Sequence, residues 1–225
     1  MNLKGKIFNN KKILIYGMGL TGFSSYKFLK KNNQIFLHDD NKKIFEKKYL
    51  KRKFLDIKRI KKTKFDYIVL SPGIDINSCG LKNYLKTHNK KIITDLDIFY
   101  SVNPKNKLIT ITGTNGKSTT AKLLNNILIK HKKDSRLCGN IGNPILLEKN
   151  ISKKTIFVVE ASSYQIEYSK FFKTNYAIIL NISPDHIERH NSFNKYIDAK
   201  FKLVKKQKSK DFAYINIENK YLKKK

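Results

Sequence analysis

Cysteine, proline, arginine and acidic residues are all scarce in this 225-residue sequence, and tryptophan is missing. Its two cysteines, Cys79 and Cys138, cannot form the disulfide framework typical of small secreted domains, so a reducing cytoplasm is the expected compartment. The apolar stretch after the N-terminal lysines is interrupted by three glycines, unlike a secretory signal. Because no apolar run approaches about 18 residues, we predict no membrane insertion.

The shortage of acids leaves 17 Asp and Glu against 48 Lys and Arg, a formal net charge of +31. Such a charge would ordinarily suggest a nucleic acid or an anionic membrane as partner. Only four of the 48 basic residues are arginine, however, whereas nucleic-acid sites favour its planar, bidentate guanidinium. We interpret the lysines as a solvated surface that steers small anions, and predict no nucleic-acid partner. A functional basic face is the alternative.

The content of hydrophobic residues, 40%, is enough for a sizeable core, and the length suits one large domain or two small ones. Apolar runs alternate with helical stretches, a pattern typical of βαβ units and a parallel sheet. A polar stretch at 95–107 suggests a boundary, so we predict one α/β domain at 1–95 and a second at 96–225. The predicted strands are 12–16, 34–40, 65–73, 90–95, 108–113, 155–160, 176–181 and 212–217, and the main predicted helices are 20–31, 117–131 and 193–206.

The first glycine motif, Gly17-Met18-Gly19-Leu20-Thr21-Gly22, fits G-x-G-x-x-G and lies between a strand and a helix. Glycines there permit a tight turn and let backbone amides approach a diphosphate at the helix N-terminus. Asp39 and Asp40 end the next strand, where a Rossmann fold carries its ribose-binding acid, and Ser71-Pro72-Gly73 ends another. The alternative is a glycine turn that only packs helix on strand.

The second glycine motif, Thr112-Gly113-Thr114-Asn115-Gly116-Lys117-Ser118-Thr119, also lies between strand and helix. It has the chemistry of a P-loop, in which backbone amides hold phosphates, Lys117 neutralises them and the Ser118 hydroxyl binds Mg²⁺. The ordinary pattern G-x-x-x-x-G-K-[ST] requires glycine where this chain has Ile111. The motif is therefore a shorter variant of the P-loop.

Four further residues are candidates for a cation site because they lie at or beyond the ends of predicted strands. Glu160 closes one strand, Asp185 and His186 follow another, and Lys200 lies on the next helix. Carboxylate, imidazole and water ligands would suit an ATP-linked Mg²⁺ site. The residues alone leave a capping or surface histidine and an ordinary lysine as alternatives.

Five segments together resemble the Mur ligases, the ATP-dependent amino-acid ligases of peptidoglycan synthesis. They are GTNGKST (113–119), CGNIG (138–142), VVEASSYQIE (158–167), NISPDHIERH (181–190) and YIDAKFKLVK (196–205). The resemblance implies a Rossmann-like UDP-binding domain followed by a central P-loop ATPase domain. It also implies a third, C-terminal domain, so we expect the chain to be the N-terminal portion of a ligase, with its central domain truncated.

The resemblance assigns roles to individual residues. It implies ATP and two Mg²⁺ ions as cofactors, with Lys200 carbamylated to act as an anionic metal ligand. The implied catalytic residues are Lys117, His186 and Lys200, and the metal ligands are Ser118, Glu160, His186 and Lys200. The ATP loop would comprise Gly113, Thr114, Asn115, Gly116, Lys117, Ser118 and Thr119, and the substrate-binding residues would be Leu20, Thr21, Asp39, Ser71, Gly73, Asn140 and Ser162.

Within the family, the segments at 139–142 and 160–167 are most similar to the members that add D-glutamate. The resemblance then implies UDP-N-acetylmuramoyl-L-alanine and D-glutamate as substrates, an acyl-phosphate intermediate and a cytoplasmic monomer. Members that add diaminopimelate or lysine typically carry Ser-Ser-His after the glutamate, where this chain has Ser162-Ser163-Tyr164. A sister ligase and a non-catalytic nucleotide-binding remnant are the alternatives.

Overall fold

A computed structural model describes residues 7–46 and 48–224 of the chain. The chain divides into two compact units, which are described separately. The first ends at Val102 and also includes Tyr168–Lys170, and the second comprises Asn103–Glu167 and the chain from Phe171 onward. Each contains a sheet whose strands are all parallel. The predicted α/β class is thereby confirmed.

The first unit is built on a four-stranded sheet in the order β2-β1-β3-β4. Strand β1, with the sequence KILIY, is central and almost wholly buried, as expected of a parallel strand covered on both faces. The strands are β1 (Lys12–Tyr16), β2 (Gln34–His38), β3 (Tyr67–Leu70) and β4 (Ile92–Ile93), and the helices are α1 (Leu20–Leu29), α2 (Lys48–Lys51), α3 (Ile57–Lys62), α4 (Lys82–Thr87) and α5 (Asp95–Val102).

Helix α5 occupies much of the stretch 95–107, where the sequence suggested a boundary, and the two units divide within that stretch, after Val102. The Thr94 side chain accepts a hydrogen bond from the Asp97 amide at 3.3 Å, and the Thr94 amide donates to Asp97 Oδ2 at 3.1 Å. This reciprocal arrangement is a capping box. The helix buries Leu96, Ile98 and Phe99, so the first unit extends to Val102 rather than to residue 95, and β4 is much shorter than the predicted strand.

The second unit contains a five-stranded sheet in the order β6-β7-β5-β8-β9. Strand β6, with the sequence SRLCG, was not predicted, because its serine, arginine and glycine interrupt the apolar pattern of a buried strand. Its extended structure depends on parallel pairing with β7. The strands are β5 (Lys107–Thr112), β6 (Ser135–Gly139), β7 (Ile156–Glu160), β8 (Tyr176–Ile179) and β9 (Phe212–Ile215), and the helices are α6 (Lys117–Lys130), α7 (Ser163–Tyr168), α8 (Ile187–His190), α9 (Phe193–Lys205) and α10 (Lys220–Lys223).

In each unit, the strand that precedes the glycine motif has neighbours on both sides. Strand β1 lies between β2 and β3, and β5 lies between β7 and β8. The order of the strands reverses at these positions, and the loops that follow them leave a crevice at the carboxyl edge, where doubly wound sheets bind ligands. The fold therefore brings each glycine motif to a ligand-binding position of its sheet.

The helices of the second unit are amphipathic rather than wholly apolar. Helix α9 begins at an N-cap, Ser192, whose side chain accepts from the Lys195 amide. Its buried face contains Tyr196, Ile197, Lys200 and Leu203, at the spacing of one helix face. In the described part of the chain, no helix is both long and apolar enough to cross a bilayer.

Candidate functional site

The glycine loop of the first unit is closely packed at two of its three glycines. A Cβ on Gly17, whose φ is +91°, would lie 2.8 Å from Ser71 Cβ, and a Cβ on Gly22 would lie 1.8 Å from the Gly17 carbonyl oxygen. Ser71 Oγ donates to that carbonyl at 2.6 Å, and the Met18 amide donates to Asp39 Oδ2 at 2.6 Å. Packing alone accounts for these two glycines.

Gly19 and Gly73 are different, because a Cβ on either would meet no atom within 4 Å. Leu20 next to the loop is 81% exposed, and the Thr21 carbonyl accepts from the hydroxyls of Ser24 and Ser25 inside α1. Open space lies beside Gly19, Leu20 and Gly73, whereas Asp39 and Ser71 use their side-chain oxygens to brace the loop.

The glycine loop of the second unit runs from the end of β5 into α6. Ile111, which stands where the ordinary P-loop pattern has glycine, lies within β5 and is fully buried, so the loop begins only after Thr112. Gly116 has a φ of +80°, which favours glycine, and directly precedes Lys117, the first residue of α6. Lys117 Nζ donates to the Thr114 carbonyl at 2.7 Å. The N-terminus of α6, together with this ammonium, forms a suitable environment for phosphate.

Residues beyond β8 and on α9 hold this loop in place. The Asn115 amide donates to Asn181 Oδ1 at 2.9 Å, and the Ser183 amide donates to Thr114 Oγ1 at 3.0 Å. Thr114 Oγ1 also lies 3.0 Å from the Tyr196 hydroxyl. These contacts explain the positions of Asn115 and Thr114, and they reveal supporting roles for Asn181 and Tyr196 that the sequence analysis missed.

A buried carboxylate lies next to the phosphate loop. Glu160, at the end of β7, is 1% exposed and accepts from Ser118 Oγ at 2.7 Å and from Asn140 Nδ2 at 3.1 Å. Both donors are neutral, and a buried carboxylate is costly without a compensating charge. The arrangement therefore fits a bound cation. Thr119, in the first turn of α6, is exposed.

Lys200 is the other ionisable side chain buried near the loop. It is 2% exposed, and its Nζ donates to the Gly113 carbonyl at 2.9 Å and lies 4.6 Å from the centre of the Tyr196 ring. Burial, reinforced by the charge of Lys117 and opposed by Asp185, lowers the pKa of Lys200 to about 7. A substantial fraction of its amine is therefore neutral, and available as a nucleophile, near neutral pH.

His186 is the N-cap of α8 and has a φ of +53°, and its Nε2 lies 3.3 Å from Asp185 Oδ2. Its ring centre lies 6.2 Å from that of Tyr196, so His186 and Lys200 both lie close to Tyr196. Of the four predicted metal ligands, the structure brings only Ser118 and Glu160 into direct contact. No cluster of three His, Cys, Asp or Glu suited to a metal occurs among the described residues.

Two predicted substrate-binding residues lie near the Glu160 carboxylate. Ser162 follows Glu160 by two residues in the chain, and Asn140 contacts it from another segment. Ser162 is hydrogen-bonded through its amide to Gln165 Oε1 at 3.1 Å, which caps the start of α7. The backbone amide of Asn140 donates to the backbone carbonyl of Glu160 at 2.8 Å. This close approach is possible because Gly139 has no Cβ, which would lie only 2.3 Å from that oxygen. Gly139 is thus required for the position of Asn140.

Comparison with known proteins identifies the second unit. Residues 111–225 match the Mur ligase middle domain. The chain is 38% identical over 218 residues to UDP-N-acetylmuramoylalanine--D-glutamate ligase of Rickettsia bellii, covering 96% of this chain and 48% of that protein. It is 39% identical over 230 residues to the enzyme of that name from Elusimicrobium minutum, covering 96% and 50%. The chain thus spans about half the length of the relatives it matches.

Solved structures with the same fold have lower sequence identity. UDP-N-acetylmuramate:L-alanyl-gamma-D-glutamyl-meso-diaminopimelate ligase from Neisseria meningitides superimposes with a TM-score of 0.58 at 16% identity, covering 96% of this chain and 74% of that one. UDP-N-acetylmuramate-alanine ligase from Thermotoga maritima has a TM-score of 0.52 at 19% identity, covering 93% and 50%. These similarities support the α/β fold.

Proposed function

The chain belongs to the Mur ligase family, and we propose that it forms the substrate-binding and ATP-binding part of a ligase that joins D-glutamate to UDP-N-acetylmuramoyl-L-alanine. One observation carries the proposal: the hydroxyl of Ser118, in the phosphate loop, and the side-chain amide of Asn140 both donate to the buried carboxylate of Glu160. A cation at this carboxylate would lie beside the terminal phosphates of ATP in the loop.

The reaction requires two transfers. The carboxylate of the UDP-linked alanine attacks the γ-phosphorus of ATP, the bond to the β-phosphate oxygen breaks, and ADP leaves. The amine of D-glutamate then attacks the acyl carbon, phosphate leaves with the bonding electron pair, and the amine loses a proton. Negative charge gathers at the transferred phosphoryl group in the first step, and Lys117 offsets it by moving from the Thr114 carbonyl to the phosphates.

Two Mg²⁺ ions would supply the remaining positive charge for this step. Ser118 and Glu160 would hold the first ion. His186, Glu160 and a carbamylated Lys200 would hold the second. Lys200 suits carbamylation because it is buried with a pKa lowered to about 7, and only a neutral amine adds to CO₂. Carbamylation replaces a buried ammonium by an anion that a metal can bind.

The first unit would bind the UDP part of the substrate at the carboxyl edge of its sheet. Gly19, Leu20 and Gly73 border the open space there, and Thr21 follows Leu20 in the first turn of α1. Asp39 and Ser71 hold the loop rigid. Asn140 and Ser162 would contact the substrate near its reacting carboxylate. We place the enzyme in the cytoplasm and expect it to act as a monomer.

Binding calorimetry on the 225-residue chain tests the proposal without requiring turnover. We expect UDP-N-acetylmuramoyl-L-alanine and Mg²⁺-ATP each to bind, and Lys117→Ala to weaken only ATP binding. Lys122→Ala, an exposed lysine on the same helix, is the matched control and should bind both as the wild type does. Binding of the UDP-sugar with no detectable ATP binding would favour a non-catalytic remnant and refute the ligase proposal.

The amino-acid specificity needs an assay of the longer protein that contains this segment. We expect ATP-dependent phosphate release to require both D-glutamate and UDP-N-acetylmuramoyl-L-alanine. Release with L-lysine or diaminopimelate and the corresponding dipeptide-bearing nucleotide, and none with D-glutamate, would assign the segment to a sister ligase instead.

A further inference from the structure

His190, the last residue of α8, is buried and has polar partners that the proposed mechanism does not use. It is 1% exposed, and its Nε2 lies 2.9 Å from Ser163 Oγ at the start of α7. Its Nδ1 lies 3.2 Å from Glu167 Oε2 without the alignment of a hydrogen bond. A carboxylate beside Nδ1 favours a proton on that nitrogen, so Nε2 accepts from the Ser163 hydroxyl.

The ring of His190 also lies close to two tyrosines on different helices. It is stacked on Tyr164 of α7, with ring centres 5.2 Å apart and an interplanar angle of 20°, and its centre lies 5.4 Å from that of Tyr196 on α9. His190 therefore contacts α7 through a hydrogen bond and a ring, and α9 through a second ring. One buried side chain thus ties three helices together.

These three helices carry or adjoin the residues of the candidate site. Helix α7 follows Glu160, α8 begins after His186, and α9 carries Lys200. The His190 amide donates to the His186 carbonyl at 3.1 Å, which closes the single turn of α8, and the His186 ring lies against the same two tyrosines as His190. The position of His186 thus depends on where His190 is held.

We infer that His190 is a positioning residue: through its hydrogen bond to Ser163 and its packing against Tyr164 and Tyr196, it sets the orientation of His186 in the metal site. This inference rests on the proposed function only for the role of His186 as a metal ligand. Residues that orient a metal ligand typically change metal affinity by about 10- to 100-fold when they are removed. A histidine that only filled space would not transmit the loss of the Ser163 hydroxyl to the His186 ring.

The test uses the ¹⁵N-labelled 225-residue chain and the ring signals of its five histidines. His88 and His131, which take no part in these contacts, serve as internal references. Ser163→Ala is the central variant, because it removes one hydroxyl and leaves every ring in place. Ser135→Ala is the matched control, since Ser135 is a buried serine of the same unit that bonds Asn125 at 2.8 Å.

Two quantities are measured: the chemical shifts of the His186 ring without ligand, and the concentration of Mn²⁺ alone that halves the intensity of its signals. We expect Ser163→Ala and His190→Ala to move the His186 signals by more than a linewidth and to raise that concentration roughly tenfold. His190→Gln should restore both values toward the wild type, because its amide oxygen can accept from Ser163. Ser135→Ala should change neither.

Unchanged His186 shifts in Ser163→Ala would overturn the inference, and so would a His190→Gln variant as perturbed as His190→Ala. If His190→Ala does not fold, Ser163→Ala against Ser135→Ala decides the question. The ligand-free shifts also separate this inference from the proposed function. If the wild-type chain binds neither Mn²⁺ nor ATP but Ser163→Ala still shifts the His186 signals, the role of His186 as a metal ligand is refuted and the role of His190 as a positioning residue is supported.

Discussion

The buried Asp95 at the start of α5 makes the stability of the first unit depend on pH. It is 2% exposed, and among the described residues its Oδ1 has no hydrogen-bond partner. Burial, reinforced by the neighbouring charge of Asp97 and opposed by backbone amides, raises the pKa of Asp95 from 3.8 to about 7. We predict that Asp95→Asn, which resembles the protonated acid in shape, stabilises the unit above neutral pH.

The sign and size follow from linkage. Because the folded-state pKa is raised, the unfolded chain loses the Asp95 proton near pH 4 and the folded chain only near pH 7. Between these values the folded state binds more protons, so the free energy of unfolding falls as pH rises. The shift corresponds to a loss on the order of 4 kcal/mol in all, of which about 2.5 kcal/mol falls between pH 5 and pH 8.

Urea unfolding at pH 5 and pH 8, followed by the NMR signals of resolved amides in β1, measures this term for the first unit. The difference between variant and wild type removes the pH dependence that all other groups contribute. We expect Asp95→Asn to gain about 2.5 kcal/mol relative to the wild type on going from pH 5 to pH 8. Asp66→Asn, an exposed aspartate in the same unit, controls for the removal of a carboxylate. If the free energy of unfolding of Asp95→Asn differs from that of the wild type by the same amount at pH 5 and pH 8, the reasoning is refuted.

Three further predictions concern the candidate site. With ¹³CO₂ present at pH 8, the wild type should show a carbamate carbon signal in its NMR spectrum, and Lys200→Ala should lack it. The control variant Lys202→Ala, at a partly buried lysine, should keep the signal. A signal retained in Lys200→Ala would contradict the assignment. Gly19→Ala should leave the midpoint of urea unfolding unchanged but weaken the binding of the UDP-sugar in calorimetry. Gly22→Ala should lower the free energy of unfolding in urea by about 1–3 kcal/mol. Asn140→Ala leaves Glu160 with one donor fewer, so Mg²⁺-ATP affinity should fall in calorimetry; an unchanged affinity would argue against the site.

Local features of the sequence were sufficient for the two glycine motifs and the strands and helices around them. The apolar runs of β1 and β5 and the glycines that follow them act within a few residues, so their structure can be predicted without knowing what packs on them. The same holds for α6, which begins at the predicted Lys117, and for α9.

Tertiary structure decided the rest, because burial and contacts between distant segments arise only when the strands take their order in the sheet. Strand β6 depends on pairing with β7, and the Asp95 carboxyl becomes hard to ionise only because α5 packs into the first unit. Ser118, Asn140 and Glu160 lie on three separate segments and meet only because β5, β6 and β7 end at one edge. Lys200 resembles the other lysines in sequence, and its lowered pKa exists only because α9 holds its amine away from water beside the phosphate loop.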